Sequence, residues 1–175
     1  MIQIKNAAEL EKMRRACAIS AAALKAGGEA IEPGISTAEI DKIIYDFIVR
    51  HGARPNFLHL YGFPATACIS VNDTVIHGIP SRNQKIRPGD IVSIDTGCKV
   101  DGFNGDNACT FACGKVDKEA QRLLDVTRES LHRGIAAAQA GARIGDIGHA
   151  VQSYVEENGF SVVRAFVGHG VGKEL

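Results

Sequence analysis

Apolar residues between 36 and 52 recur at the spacing of one helical face. Ile40, Ile43, Ile44, Phe47 and Ile48 fall at i, i+3, i+4, i+7 and i+8, a stripe that a 3.6-residue period brings into line. Ser36 stands ahead of the stripe with Glu39 three residues on, the reciprocal signature of a helix N-terminus, and Gly52 offers a stop. Asn6 with Glu9 repeats that signature, and the alanine-rich run behind it predicts a first helix to about Lys25, ended by Ala26-Gly27-Gly28. From about Phe57 to Phe111 the texture changes to short β-branched runs broken by Gly, Pro, Asn and Asp. The runs "ACISVN", "DIVSIDTG" and "NACTFA" predict strands. Helical patterning returns at about Asp117 to Gln139 and Ile144 to Glu157.

The return carries a repeat. Laid over residues 140–159, residues 33–52 match Gly34 to Gly141, Ile40 to Ile147, Ile44 to Val151, Phe47 to Tyr154, Ile48 to Val155 and Gly52 to Gly159. The interval is too long for a solenoid, whose units recur every 20 to 50 residues or so. It predicts a duplicated half-domain with pseudo-twofold symmetry, and chance matching of two amphipathic helices ending in Gly is the alternative. The expected layout is one domain, its first half about residues 1–113 and a partial second half about residues 114–175. By the same symmetry the second half calls for more strands than the chain holds, with "SVVRAF" at the start of its sheet.

Composition narrows what such a domain can do. The hydrophobic content of 45% supports a packed core, and 20 basic residues balance 20 acidic ones, so no net field draws the chain to phosphate backbones or anionic lipid. Nucleic-acid recognition and membrane association are not expected. The N-terminus lacks the apolar stretch and small-residue cleavage site of a secretory signal, which predicts a cytoplasmic protein. The 5 cysteines include no C-x-x-C pair, against both a disulfide framework and a zinc ribbon.

Candidate chemistry lies in "SIDTGCKVDGFNGD". Asp101-Gly102 is a type I′ hairpin signal. With that two-residue turn, Val100 faces Phe103 and Gly97 faces Asp106, so Asp95 and Asp106 share one sheet face on a diagonal. A three-residue loop would throw them to opposite faces. Two converging carboxylates repel and desolvate one another unless a cation or a shared proton offsets both, a pattern that favours a divalent metal. The alternative is a loop aspartate beside a solvent-facing strand aspartate. His77 in "VIHGIP" and His169 in "VGHGVG" add ligand-type side chains, the second between glycines that let a ligand approach. His51, His59, His132 and His149 read as surface or core histidines.

Taken in order, "HGIP", "SIDTG", "GFNGD" and "GHGVG" resemble the type I methionine aminopeptidases of bacteria, as does the surrounding sequence from Ile4 to Gly172. The resemblance implies an α/β (α+β) pita-bread fold: two pseudosymmetric halves whose mainly antiparallel, curved sheet is covered by helices, here with an incomplete second half. It implies Asp95, Asp106 and His169 as ligands of two divalent metal ions (Co, Mn, Fe or Zn), Asp106 bridging. His77 would contact the substrate. Phe63 and Cys68 would wall the pocket for the methionine side chain, with Phe57 and Tyr61 assigned equally to pocket or core. The implied activity is metal-assisted removal of the initiator methionine from nascent chains, with the ribosome as a further partner and a monomer as the complete form. In that family a further ligand glutamate, a proton-moving carboxylate and a second substrate-binding histidine follow the "GHGVG" stretch. The 175-residue chain is therefore expected to be a C-terminally truncated member, weakly active or inactive alone and prone to associate. A non-catalytic pita-bread remnant serving as a binding or regulatory module is the alternative.

Overall fold

Two reciprocal caps set the first helices. Asn6 accepts from the Glu9 N–H while the Glu9 carboxylate accepts from the Asn6 N–H, opening α1 (Ala7–Glu29). Ser36 and Glu39 do the same for α2 (Thr37–Arg50). The computed structural model describes residues 3–175. Helix α1 does not stop at Lys25 as its glycines predict; it runs through Gly27 and Gly28. The reason is packing, since a Cβ on Gly27 would lie 2.7 Å from Ile44 Cδ1 and one on Gly28 2.2 Å from the Phe111 ring. These glycines let α1 approach its neighbours closely, and tertiary contact outweighs their low helix propensity.

The strands are β1 (Arg54–Pro55), β2 (Ala67–Val71), β3 (Ile91–Val100) and β4 (Phe103–Ala112), all antiparallel to their partners. β4 pairs along the whole of β3, while β1 and β2 follow one another along the opposite edge of β3. A short 3-10 turn (Leu60–Gly62) lies between β1 and β2. One sheet face belongs to the helices: Val92, Ile94, Thr96, Cys98 and Val100 alternate inward and are all buried. With Ile40, Ile44 and Ile48 of α2, each fully buried, they form the centre of the core. Burial of this kind contributes about 1.5–3 kcal/mol per large aliphatic side chain. Close approach is built in here too, for a Cβ on Gly105 would fall 2.5 Å from the Ala16 backbone. Asp41 of α2 ties that helix to the sheet by accepting from the Thr66 and Ala67 N–H groups at 2.9 and 2.8 Å. Burial pushes its carboxyl above the usual range, against those two hydrogen bonds.

These elements belong to one compact unit, Met1–Val116 with Gly170–Leu175; Asp117–His169 form a second. In the second, α3 (Lys118–Ala137) and α4 (Ile144–Glu157) pack on one another. Arg133 lies over the Tyr154 ring at 3.8 Å and Arg122 over Phe160 at 4.7 Å. The bounds of α4 repeat those of α2 in the register of the sequence repeat. Gly34 and Gly141 precede the two helices with φ of 95° and 90°, and Gly52 and Gly159 follow them with φ of 71° and 77°. Residues 161–166, "SVVRAF", form no strand. Their β-branched texture suits a sheet, but a strand exists only where a ladder partner takes its backbone groups.

Candidate functional site

The face of the sheet turned away from the helices carries the polar residues. Asp101 and Gly102 have φ of 52° and 82°, the two positive values that a type I′ turn requires. Val100 pairs with Phe103 and Gly97 with Asp106, as the turn signal predicts. Since directly opposed residues share a face and residues two apart on a strand share a face, Asp106 and Asp95 lie together, one step apart along β3. The neighbouring row supports this alternation, with Ser93 and Thr110 hydroxyls hydrogen-bonded at 2.8 Å.

Cys68 of β2 stands directly opposite Asp95. Its thiol is pushed up to about 12, first by burial and then by the charges of Asp95, Asp106 and Asp41. Opposite Asp106, Gly97 leaves no room for a side chain: a Cβ there would meet Asn56 Nδ2 and the Gly105 carbonyl oxygen at 3.0 Å and Phe57 Cε1 at 3.4 Å. Asn56 Nδ2 is buried with no hydrogen-bond partner. A carboxylate pair, a cradle that a methyl group would fill and an orphaned donor beside it suit a bound cation with an oxygen ligand. Among the described residues no group of three or more His, Cys, Asp and Glu side chains is gathered to hold an ion.

The other sequence-selected residues are placed as follows. His77 is exposed in the segment after β2, with a left-handed φ of 58°, a conformation costly for a residue with a Cβ. Its neighbour fixes the segment to the sheet edge: Gly78 accepts from the Ile69 N–H at 2.8 Å and donates to Ser70 Oγ at 3.0 Å. A Cβ on Gly78 would be 2.2 Å from the Ile69 oxygen, so "HG" is a steric requirement. Phe57 and Phe63 are half-buried, whereas Tyr61 is fully exposed at 101% with φ of 48°. His169 is an exposed residue at the end of the second unit. Just beyond it, Gly172 rejoins the first unit, its carbonyl accepting from both the Asn104 N–H at 2.8 Å and Nδ2 at 3.1 Å. Asn56 escapes a reading of motifs, because the pairing of two-residue β1 that brings it beside Gly97 has no periodic signal, and only the Pro55 turn residue hints at a chain reversal there.

Residues 11–175 match the sequence profile of metallopeptidase family M24. The methionine aminopeptidase of Clostridium perfringens is 49% identical over all of this chain, which spans 70% of that protein. Methionine aminopeptidase 1 of Bacillus subtilis is 45% identical over the same shares. The crystal structure of methionine aminopeptidase from Thermotoga maritima superposes with a TM-score of 0.97 at 38% identity, covering 99% of this chain and 70% of that one. The antiparallel hairpin, the covering helices and the carboxylate face are thus those of the pita-bread fold, and the chain belongs to the methionine aminopeptidases, divalent-metal enzymes of metallopeptidase family M24.

Proposed function

We propose that the chain takes part in removing the initiator methionine from nascent proteins in the cytoplasm, with Asp95, Asp106 and His169 as ligands of two divalent ions of the Co, Mn, Fe or Zn type. The observation that carries this reading is the shared face of Asp95 and Asp106 across the β3-β4 ladder. Divalent ions supply Lewis acidity that polarises an amide carbonyl and makes water a nucleophile at neutral pH. The protein's part is to hold and orient. The β3-β4 ladder keeps the two carboxylates one step apart, and helix α1 behind the sheet keeps that ladder from shifting. Asp95 and Asp106 offset the charge of the ions, which two carboxylates without a cation would not tolerate at low cost. His77, fixed through Gly78 to the edge of β2, contacts the substrate backbone at the carbonyl that is attacked. Phe57, Phe63, Cys68 and Tyr61 belong to the side receiving the methionine side chain, where neutral Cys68 and half-buried aromatic rings favour an apolar thioether.

Release of free methionine from a Met-Ala-Ser peptide with manganese supplied, measured together with bound metal, tests the assignment. His77→Ala is expected to lower kcat by about 10- to 100-fold with metal content retained. Asp95→Asn is expected to lose metal. Loss of metal in the His77 variant, or full metal in the Asp95 variant, would contradict these roles.

A further inference from the structure

The row of residues that crosses the sheet at Gly97 holds a donor without an acceptor. Asn56 stands on one side of Gly97, its N–H bonded to the Gly97 carbonyl at 2.9 Å, and Asp106 stands on the other. All three share the carboxylate face. Asn56 Nδ2 is buried and unpaired, 3.0 Å from where a Gly97 Cβ would be. Native proteins leave few such groups, and those they keep call for an explanation in function.

We propose that Asn56 is a substrate-positioning residue, whose carboxamide N–H donates to the main-chain carbonyl oxygen of a methionyl peptide lying over Gly97. This rests on the aminopeptidase reading of the Asp95/Asp106 face. The donor selects the acceptor: an amide N–H needs a lone pair, and a protonated amine has none to offer. A peptide carbonyl is neutral and accepts. Space is available beside Asn56, where a cavity of about 330 Å³ is lined by Arg54, Pro55, Asn56, Leu58, Lys99 and Asn104 among others. The Phe57 ring comes within 3.4 Å of the same Gly97 point, so the proposed contact calls for that half-buried ring to turn aside.

An orphaned donor makes an unusual signature, because removing it relieves a folding penalty while removing a binding contact. Titration calorimetry with manganese supplied would compare L-methioninamide, which has the carbonyl, with 3-(methylthio)propylamine, which lacks it. Asn56→Ala and the isosteric Asn56→Asp are expected to weaken methioninamide by roughly tenfold and the amine by less than about twofold. The Tm of Asn56→Ala is expected to equal or exceed that of the parent chain. Equal weakening of both ligands, unchanged affinity for methioninamide, or a lowered Tm with unchanged affinities would overturn the proposal. A folding defect in Asn56→Ala leaves Asn56→Asp to decide, since it keeps the shape. Failure of the parent chain to bind either compound would instead overturn the aminopeptidase reading, and this proposal with it.

Discussion

Cys68 reports on its surroundings more directly than any other residue at the site. Burial and the fields of Asp95, Asp106 and Asp41 hold its thiol at about 12, so at pH 8 it is essentially all thiol and a poor nucleophile. Cys17 and Cys109, by contrast, are exposed to reagent. Iodoacetamide at pH 8 is expected to label Cys17 and Cys109 and spare Cys68, as read by peptide mass spectrometry. Asp95→Asn removes the nearest negative field and is expected to speed Cys68 labelling at pH 9 several-fold, with burial still holding the thiol above its ordinary range. No change on that substitution would mean that the carboxylate does not reach the sulfur. Much of this site was legible residue by residue: the Asp-Gly turn fixes register, and register fixes which aspartates share a face. Cys68 as the partner opposite Asp95 was not, because pairing between β2 and β3 spans a long loop and leaves no local trace. Asn56 was hidden for the same reason.

Helix ends and helix approaches, at the scale of elements, obey different rules. The two reciprocal caps were readable because they are local chemistry, three residues apart. Glu39, hydrogen-bonded to the Ser36 hydroxyl and N–H with Lys85 nearby, is held down from 4.5 to about 2. A folded value below the unfolded one stabilises above pH 4.5, and that contribution is lost as pH falls through about 2. Glu39→Gln can keep the cap but cannot titrate, so its stability in urea is expected to fall less steeply over that window than the parent's. The end of α1 was misplaced because Gly27 and Gly28 answer to Ile44 and Phe111, residues distant in sequence. Alanine at position 28 would gain about 1 kcal/mol of helix propensity and lose about 1–3 kcal/mol to the Phe111 clash. The clash wins, and Gly28→Ala is expected to lower the urea midpoint; a raised midpoint would show that Phe111 moves aside freely. Residues 161–166 show the converse case, β propensity without a ladder.

For the molecule as a whole, charge and exposed apolar surface act together. With 20 charges of each sign and a sequence pI near 7.0, no net repulsion opposes contact between copies at neutral pH. Leu131, Ile135, Ile144, Val163 and Phe166 of the second unit are all more than half exposed. Light scattering is expected to show self-association of residues 1–175 that is strongest near pH 7 and relieved at pH 5 and 9. Association that is the same at pH 5, 7 and 9 would refute the statement. The sequence repeat is visible in the matching bounds of α2 and α4 and their flanking glycines, since amphipathic period and left-handed stops are local. The sheet partners of a half are not local, and sequence periodicity does not name them.

The two-residue turn at Asp101-Gly102 also limits how the gene can change in length. Inserting or deleting one residue anywhere between Asp95 and Asp106 shifts the ladder by one and sends one aspartate to the helix-covered face, unless a bulge absorbs it. Changes of two residues keep both on the same side. Length variation tolerated in this hairpin therefore comes in even steps, and a library of single and paired glycine insertions, selected for metal retention, would recover the paired ones.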